Sequence, residues 1–390
     1  MSHIFPRHTK ANLPTVATGK GVYLYDTNGK QYFDGSGGAA YVAEAIKKQI
    51  DTVAFAHTGF LTSQPAEELA DKLVELAPEG IDRVYLVSGG SEAGGNEWRR
   101  APFSPLMIET SHISPCFEYR GREDNESAEE YGLRVANELE AEILRLGAEN
   151  VIGFVAEPVV GATAGAVPPV DGYFKRIREI CDKHGILLIL DEVMCGMGRT
   201  GRLFASEHDD ISPDIITIAK GLGAGYQPIG AMLCTAEIYK VIEDGSGFFQ
   251  HGHTYMGHPT AAAGSLAVVN KLVDHKLIER SDEMGKKLQS ALQDAFGQHP
   301  NIGDIRGRGL FRGLEFVEDR ETKQPFTPEK AINKKIKKAA FEAGLICYPM
   351  GGTIDGVRGD HVLLAPPFIL DDGHIDEITD KLSTAFNQVF

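Results

Sequence analysis

Short apolar runs of strand length recur along the chain, and longer stretches with helical periodicity separate them. The runs are VYLV (84–87), LMIE (106–109), VIGFVAE (151–157), ILLIL (186–190), DIITIA (214–219) and AMLC (231–234). Consecutive apolar positions are typical of strands that are buried on both faces of a sheet. The alternation of strands and helices therefore predicts an α/β fold with a largely parallel sheet. Ahead of these runs, GVYLYDTNGKQYFDG (21–35) predicts two strands joined by a turn at Asn28-Gly29.

Several stretches predict helices from their apolar spacing and their end signals. The stretch 127–146 begins with a capping box formed by Ser127 and Glu130. The stretch 173–184 ends at Gly185, a residue type that commonly stops helices. A third helix spans about 328–343. The carboxyl-terminal helix carries its apolar face on Ile375, Ile378, Leu382, Phe386 and Val389.

The pattern also divides the chain into two domains. The large domain is expected at 46–305, where the strand runs and helices alternate. Residues 1–45 and 306–390 lie outside this alternation, and a smaller α+β unit is expected at the carboxyl end. Ligands of an open parallel sheet bind in the crevice at the carboxyl ends of the strands. Polar residues that directly follow the strand runs are therefore the first candidates for a functional site.

The composition narrows the class of partner. Lysine and arginine number 39 against 55 aspartates and glutamates, a net charge of −16, which disfavours nucleic acid and anionic membranes as partners. Small molecules are therefore expected instead. The five cysteines are scattered and form no C-x-x-C pair, so neither a disulfide framework nor a metal site is predicted, and a reducing cytoplasm is favoured. No apolar stretch reaches the roughly 18 residues of a membrane span, and MSHIFPRHTK (1–10) lacks the apolar core of an export signal.

Two polar residues follow strand runs in a way that suggests chemistry. Asp191 comes directly after ILLIL, and Lys220 directly after DIITIA. Taken alone, Asp191 would be a turn or cap residue, and Lys220 a lysine whose stem packs on the sheet. SGGSEA (88–93) adds a turn of small residues after a third strand, and its backbone N–H groups can hold a phosphate. A carboxylate, an amine and an anion site at neighbouring strand ends together form the set of groups that pyridoxal phosphate requires.

The sequence resembles the class III aminotransferases, pyridoxal-phosphate enzymes of fold type I that include the ω-transaminases. The matching motifs, in order along nearly the whole chain, are SGGSEA (88–93), AEPV (156–159), LILDEVMCGMGRTG (188–201), PDIITIAKGLGAGYQPIGA (213–231), HGHTYMGHPTAAAG (251–264), RGRGLFRGLEF (306–316) and DHVLLAPPFIL (360–370). The resemblance implies a large cofactor-binding domain with a mostly parallel seven-stranded sheet flanked by helices. It also implies a smaller α+β domain built from the amino- and carboxyl-terminal segments, and a homodimer with shared active sites; a tetramer stays open as an alternative.

The resemblance assigns catalytic roles to Lys220 and Asp191. Lys220 would form the Schiff base with the aldehyde of pyridoxal 5'-phosphate, which requires an uncharged amine in a desolvated pocket. Asp191 would pair with the pyridine nitrogen and keep it protonated, so that the ring accepts electrons from the substrate. After the substrate has displaced Lys220, the freed amine would carry the proton between substrate and cofactor.

The resemblance also implies further cofactor contacts. Gly90 and Ser91 match the phosphate-binding turn, and Val193 matches the residue that packs on one face of the ring. Thr254 matches a threonine that reaches the phosphate of the neighbouring subunit, so the active site would need a dimer. Glu157 matches a glutamate near the cofactor, although a buried glutamate at a strand end is an equally good interpretation.

Two pieces of the family pattern are missing from the sequence. After SGGSEA the family continues with a helix, a strand and a Tyr-His-Gly turn, whereas here GGNEWRRAPFSP (94–105) leads directly to the next apolar run. A shorter piece that contains Gly-His is missing near Ala40. Loss of a crossover helix would remove buried side chains worth roughly 2 to 5 kcal/mol each. We therefore expect that the sequence joins segments on either side of Ala40 and Ala93 and omits the pieces between them.

The substrate-binding residues are predicted from the same resemblance. Many ω-transaminases place a mobile arginine after the GLI strand, but this chain has Tyr348 there. Arg358, in DGVRGDHVLL, is the candidate substitute for binding a carboxylate, and an exposed loop cation is the alternative. Phe60 resembles a pocket aromatic of the family, and a core position is equally plausible for it. The expected reaction moves an amino group from an amine or ω-amino acid to a small keto acid such as pyruvate.

Three rival functions are considered for the same residues. A racemase, aminomutase or phospho-lyase of the same fold would use the same Lys220 and Asp191. A dehydrogenase would need G-x-G-x-x-G at AKGLGAG, but the third glycine position falls on Tyr226 and Pro228 interrupts the expected helix. A metal-binding protein could use the histidines of HGHTYMGHP (251–259), which lack the carboxylates and the spacing of a known site.

Overall fold

The computed structural model describes residues 14–35, 42–56, 58, 61–88 and 110–390. The predicted strand 106–109 and the candidates Phe60, Gly90 and Ser91 lie outside these residues. The strands are β1 (Val16–Lys20), β2 (Tyr23–Asp26), β3 (Gln31–Asp34), β4 (Ile81–Val87), β5 (Gly153–Ala156), β6 (Leu187–Asp191), β7 (Ile215–Ile218), β8 (Gly230–Thr235), β9 (Ile302–Arg308), β10 (Phe311–Phe316), β11 (Leu345–Ile346), β12 (Tyr348–Gly351) and β13 (Asp360–Leu364). The α-helices are α1 (Ala43–Thr52), α2 (Gln64–Leu76), α3 (Glu118–Gly121), α4 (Ala128–Leu146), α5 (Tyr173–His184), α6 (Ala236–Asp244), α7 (Pro259–Asp274), α8 (Leu277–Phe296), α9 (Ile332–Glu342) and α10 (Asp372–Val389).

The central sheet has the strand order β4-β8-β7-β6-β5 in the described part of the chain. β5, β6 and β7 are parallel neighbours, with Ala156 opposite Leu190 and Asp191 opposite Thr217. β8 is antiparallel to both β7 and β4. Four of these five strands therefore run in one direction, which confirms the prediction of a mostly parallel sheet. The position of AMLC in the one reversed strand was not predicted.

Helices cover both faces of the central sheet. On one face, α2 and α7 pack against β7 and β8, and the buried side chains there include Leu69, Ile216 and Leu233. On the other face, α4 and α5 pack against β6, where Leu188 and Leu190 are buried. The two apolar layers explain why these strands are apolar at nearly every position. The sequence patterns that predicted α4 and α5 are also confirmed.

The ends of these helices form as the sequence predicts. The Ser127 hydroxyl accepts a hydrogen bond from the Glu130 amide, and the Glu130 carboxylate accepts one from the Ser127 amide. This reciprocal capping satisfies two N–H groups that lack partners within the helix. Gly185 ends α5 in the left-handed conformation, with φ of 65°. α1, by contrast, begins at Ala43 with no side-chain cap.

The amino- and carboxyl-terminal segments share two further sheets, of strand order β1-β2-β3-β11 and β12-β13-β10-β9. The predicted hairpin is β2 and β3, which pair antiparallel. A single core, which includes Phe33, Leu288, Phe316 and Phe386, joins these strands to α8, α9 and α10. The expected boundary at residues 305 and 306 lies inside β9. Because α8 packs in this core, we propose that the carboxyl-terminal part of the small domain begins at α8.

No helix within the described residues is both long and apolar enough to cross a membrane.

Candidate active site

Three polar residues lie at the carboxyl ends of three adjacent parallel strands. Glu157 directly follows β5, Asp191 is the last residue of β6, and Lys220 comes two residues after β7. Since β5, β6 and β7 are neighbours, the sheet brings these residues to one edge. Burial raises the pKa of both carboxyl groups, and the positive charge of Lys220 acts against this rise. The structure therefore places Glu157, Asp191 and Lys220, all three of them candidates from the sequence, at one edge of the sheet.

Asp191 is a partly buried carboxylate that is held by the backbone. Its Oδ1 accepts a hydrogen bond of 3.0 Å from the Val193 amide. Burial raises the pKa of Asp191, whereas the Val193 hydrogen bond and the Lys220 charge lower it. A cationic group beside Asp191 would stabilise its charged form and offset the cost of burying that charge.

Lys220 has an uncommon backbone conformation. Its φ is 35°, in the left-handed region, where a residue with a side chain stores on the order of 1 to 3 kcal/mol of strain. The glycines that follow are required by close packing: a Cβ on Gly221 would lie 2.8 Å from Met197 Cβ, and one on Gly223 would lie 2.5 Å from the Gln227 carbonyl oxygen. The Lys220 side chain is exposed in the single chain, whereas the sequence predicts a desolvated amine.

Glu157 is a partly buried residue whose carboxyl group has one backbone donor. Its Oε2 accepts a hydrogen bond of 2.9 Å from the Gly161 amide. Burial raises the pKa of Glu157 to about 7, the negative charge of Asp191 raises it further, and the Gly161 hydrogen bond and Lys220 lower it. Glu157 can therefore hold or release a proton near neutral pH beside the other two residues.

Glu192 is a buried carboxylate that the sequence interpretation missed. Only 1% of its surface is exposed, and its carboxylate accepts hydrogen bonds from the amides of Ala205 and Ser206 at 2.5 and 2.9 Å. Burial raises its pKa to about 7. Its contacts stabilise the turn after β6. The sequence assigns Asp191 to the crevice, and the structure adds that the neighbouring acid, Glu192, lies in the interior.

Thr254 lies in an exposed segment without helix or strand, next to the end of β4. The Tyr85 hydroxyl of β4 donates a hydrogen bond of 2.9 Å to the His251 carbonyl, and His253 Nδ1 lies 3.5 Å from Ser88 Oγ. Ser88 begins SGGSEA, the predicted phosphate turn. The structure thus brings the Thr254 segment to the start of this turn, while Gly90 and Ser91 themselves lie outside the described residues.

The two described candidates for substrate binding belong to the carboxyl-terminal sheet. Tyr348 begins β12 and is 38% exposed. Arg358 lies in the loop between β12 and β13, with its side chain 60% exposed, and its Nε donates to Asp355 Oδ2 at 2.6 Å. No contact in the described residues joins either side chain to Asp191 or Lys220. Phe60 is outside the described residues.

The histidines of HGHTYMGHP take part in separate contacts. His251 and His253 lie beside β4, whereas the His258 ring accepts a hydrogen bond from the Thr260 amide at the start of α7. Among the described residues, no three His, Cys, Asp or Glu side chains are placed to share a metal ion.

The family model of the class III aminotransferases matches residues 4–104 and 99–386. The chain belongs to the class III aminotransferases. The predicted resemblance, fold type and enzyme class are thereby confirmed. The two matched segments meet at residues 99–104, within the stretch where the sequence departs from the family pattern.

Relatives and solved structures cover nearly the whole chain. An uncharacterized aminotransferase of Schizosaccharomyces pombe is 42% identical, with 95% of this chain and 92% of the relative aligned. The putrescine–pyruvate aminotransferase of Pseudomonas aeruginosa is 33% identical over 93% of this chain and 88% of its own. The ω-transaminase of Pseudomonas jessenii in complex with PMP superposes with a TM-score of 0.91 at 29% identity, over 99% of this chain and 96% of the other. The alignment to the S. pombe relative spans 420 positions, more than the 390 residues here, so that relative carries residues that this aminotransferase sequence lacks.

Class III aminotransferases depend on pyridoxal 5'-phosphate, and the residues of this crevice fit that cofactor. A cofactor with an aldehyde and a protonated ring nitrogen needs one amine and one carboxylate in the same crevice. Lys220 and Asp191 are an amine and a carboxylate on adjacent strand ends, with Val193 beside Asp191. These side chains together, rather than any single one, match the requirements of pyridoxal phosphate.

Proposed function

We propose that this aminotransferase transfers an amino group from an amine or ω-amino acid to a small keto acid such as pyruvate. The observation that carries the proposal is the placement of Glu157, Asp191 and Lys220 at three adjacent strand ends, with Lys220 close enough to influence both carboxyl groups. The name of the P. aeruginosa relative, a putrescine–pyruvate aminotransferase, supports this choice of donor and acceptor.

Lys220 and Asp191 divide the chemistry between them. When bound, pyridoxal phosphate supplies an aldehyde and a ring that accepts the electrons of a broken C–H bond. We propose that Lys220 would hold the cofactor covalently through Nζ. When uncharged and free, Nζ would take the proton from the carbon that bears the substrate's amino group. The Asp191 carboxylate would keep the ring nitrogen protonated by charge and hydrogen bonding.

A single half-reaction distinguishes this function from its rivals. The holoenzyme is mixed with putrescine or another amine donor in the absence of any keto acid. We expect one equivalent of carbonyl product per active site. The amino group should stay on the enzyme, as the amine form of the cofactor. Addition of pyruvate should then release the amino group as alanine. A racemase, aminomutase or phospho-lyase would return the cofactor unchanged after each turnover. Absence of carbonyl product would contradict the proposal.

Arg358 is our candidate for binding the carboxylate of the keto acid. Its pair with Asp355 is exposed, and exposed pairs contribute only about 0 to 1 kcal/mol, so exchanging Asp355 for a substrate carboxylate costs little. We expect Arg358→Ala to raise KM for pyruvate about tenfold, the loss of one charged hydrogen bond, without changing KM for an aldehyde acceptor. Asp355→Asn is the matched control and should not raise either KM. An unchanged KM for pyruvate in Arg358→Ala would exclude the arginine.

We propose a homodimer in which the Thr254 segment contributes to the partner's phosphate site. Large side chains on and beside this segment are exposed: Phe55 at 42%, Phe249 at 46% and Tyr255 at 64%. Exposed apolar surface of this kind is typical of protein contacts. The exposed Lys220 side chain also supports a second chain that closes the crevice. A tetramer remains an alternative, and a cytoplasmic location remains the expectation from the cysteine pattern.

A further inference from the structure

Arg306, on β9, links the carboxyl-terminal sheet to a loop next to the active site. Its Nε donates a hydrogen bond of 2.9 Å to the Gly165 carbonyl, and one Nη donates to the Ala164 carbonyl. Both carbonyls belong to residues 161–166, which we call the glycine loop. Arg306 is 8% exposed. One rigid side chain therefore holds two consecutive peptide groups, a geometry for which the planar fork of arginine is suited.

Other side chains fix the Arg306 guanidinium in place. Its second Nη donates to Glu315 Oε2 at 2.7 Å and to Asp304 Oδ2 at 2.9 Å. Glu315 is fully buried, and Arg120 of α3 donates to its other oxygen at 2.7 Å. The face of the guanidinium lies 4.7 Å from the centre of the Phe117 ring. The charge of Arg306 is paired with the carboxylates of Glu315 and Asp304, and its other nitrogen atoms are bonded to the loop carbonyls. The side chain therefore cannot move without breaking several contacts.

The glycine loop leaves little room for displacement. The Val160 and Val167 backbones pair as an isolated bridge at its base. A Cβ on Gly313 of β10 would lie 2.0 Å from the Gly165 carbonyl oxygen, and a Cβ on Gly165 would lie 2.7 Å from the His361 ring. The loop tip is therefore pressed against β10 and β13, on the same side as Arg306.

The base of the glycine loop contacts the active site. The Gly161 carbonyl accepts hydrogen bonds from the amides of Gly165 at 2.8 Å and Ala166 at 3.3 Å. On its other side, the Gly161 amide donates to Glu157 Oε2 at 2.9 Å. A continuous series of hydrogen bonds thus runs from Arg306 through Gly165 and Gly161 to Glu157. The charged groups that act on Glu157 are Asp191 of β6 and Lys220 after β7.

We propose that Arg306 is a positioning residue of the active site: by holding the tip of the glycine loop, it keeps the Gly161 amide in place as the hydrogen-bond donor to Glu157. Arg306 itself touches neither Asp191 nor Lys220 in the described contacts and acts through the loop. Displacement of a group beside a reacting centre by about 1 Å can cost on the order of a hundredfold in rate. The expected effect of Arg306 on the rate therefore rests on the proposed transamination.

Hydrogen exchange of the holoenzyme tests the structural part of the proposal. In Arg306→Gln, we expect the amides in peptides covering 160–167 to exchange at least about tenfold faster, since a hydrogen bond to a charged donor is worth about that factor or more. Arg306→Lys keeps the charge beside Glu315 but cannot hold both carbonyls, so it should show the same faster exchange in peptides 160–167. The matched control is Arg308→Gln, on the same strand, because Arg308 pairs with Asp209 and not with the loop. Unchanged exchange in folded Arg306→Gln and Arg306→Lys would overturn the proposal.

A double-mutant cycle tests the connection to Glu157. When Glu157 is present, we expect Arg306→Gln to lower kcat/KM about tenfold and to change the pH dependence of kcat/KM. In an enzyme that already carries Glu157→Gln, we expect Arg306→Gln to have little further effect. Equal losses in both backgrounds would show that Arg306 acts independently of Glu157 and would also overturn the proposal. Hydrogen exchange does not depend on the reaction. If the transamination proposal were wrong, the half-reaction would give no carbonyl product, but the hydrogen-exchange result would still hold.

Discussion

Replacement of Lys220 by alanine is expected to lower kcat by at least about a thousandfold, because the variant loses both the amine that attaches the cofactor and the base that moves the substrate proton. General acid–base catalysis alone contributes on the order of a hundredfold to ten-thousandfold. Borohydride reduction followed by peptide mass analysis should find pyridoxyl-modified Lys220 in the native holoenzyme. The variant should still bind cofactor, without a covalent link.

Lys240→Ala is the matched control for this experiment. Lys240 is an exposed lysine on α6, the helix that follows β8. Its loss should leave kcat and the site of reduction unchanged. Attachment of the cofactor to a lysine other than Lys220 would contradict the proposed site. So would a Lys220→Ala enzyme that keeps the native kcat.

Asp191→Asn is expected to lower kcat about a thousandfold, which corresponds to about 4 kcal/mol in the activation free energy. The amide has nearly the shape of the carboxylate but no charge, so it cannot hold the proton on the ring nitrogen. Removal of one partner from a buried charge pair costs on the order of 3 to 5 kcal/mol. The measurement is kcat for the half-reaction, together with the cofactor absorbance, under conditions that saturate the enzyme with pyridoxal phosphate.

The control for Asp191 is Asp214→Asn, at the opposite end of the same strands. The Asp214 carboxylate accepts hydrogen bonds from the Leu188 amide at 2.6 Å and from Arg178 at 2.8 Å. Its loss should lower the free energy of unfolding by about 1 to 3 kcal/mol and leave kcat within about twofold. If Asp191→Asn changed stability but not kcat, the role of Asp191 beside the ring nitrogen would be refuted.

Local sequence patterns predicted most of the described elements. The apolar runs located β4 to β8, because a strand buried on both faces has to be apolar at nearly every position. The capping box of Ser127 and Glu130 and the stop at Gly185 depend only on residues within one helix or next to it, so they could be identified without any tertiary contact. The position of Asp191 and Lys220 directly after strand runs was visible for the same reason.

The motifs also identified the chemistry before the geometry was known. An acid and a lysine after successive strands predicted one crevice, since the carboxyl ends of parallel neighbours lie at one edge. The sequence therefore determined the family, the cofactor and the candidate amine and carboxylate. It left Glu157 with two interpretations of equal weight, because a glutamate before a proline at a strand end has the same local pattern in either role.

Only the tertiary structure decided which groups act together. The antiparallel direction of β8, the burial of Glu192 and the link from Arg306 to Glu157 depend on contacts between residues far apart in the chain. Arg306 and Gly165 are separated by 141 positions, and no local periodicity records such a pair. Hydrophobic periodicity reports which face of an element is buried, whereas hydrogen bonds between distant elements depend on how those faces pack. For that reason the sequence by itself determined the elements and the chemistry, and only the tertiary structure decided that the carboxyl-terminal sheet packs against the loop that follows β5, beside the site.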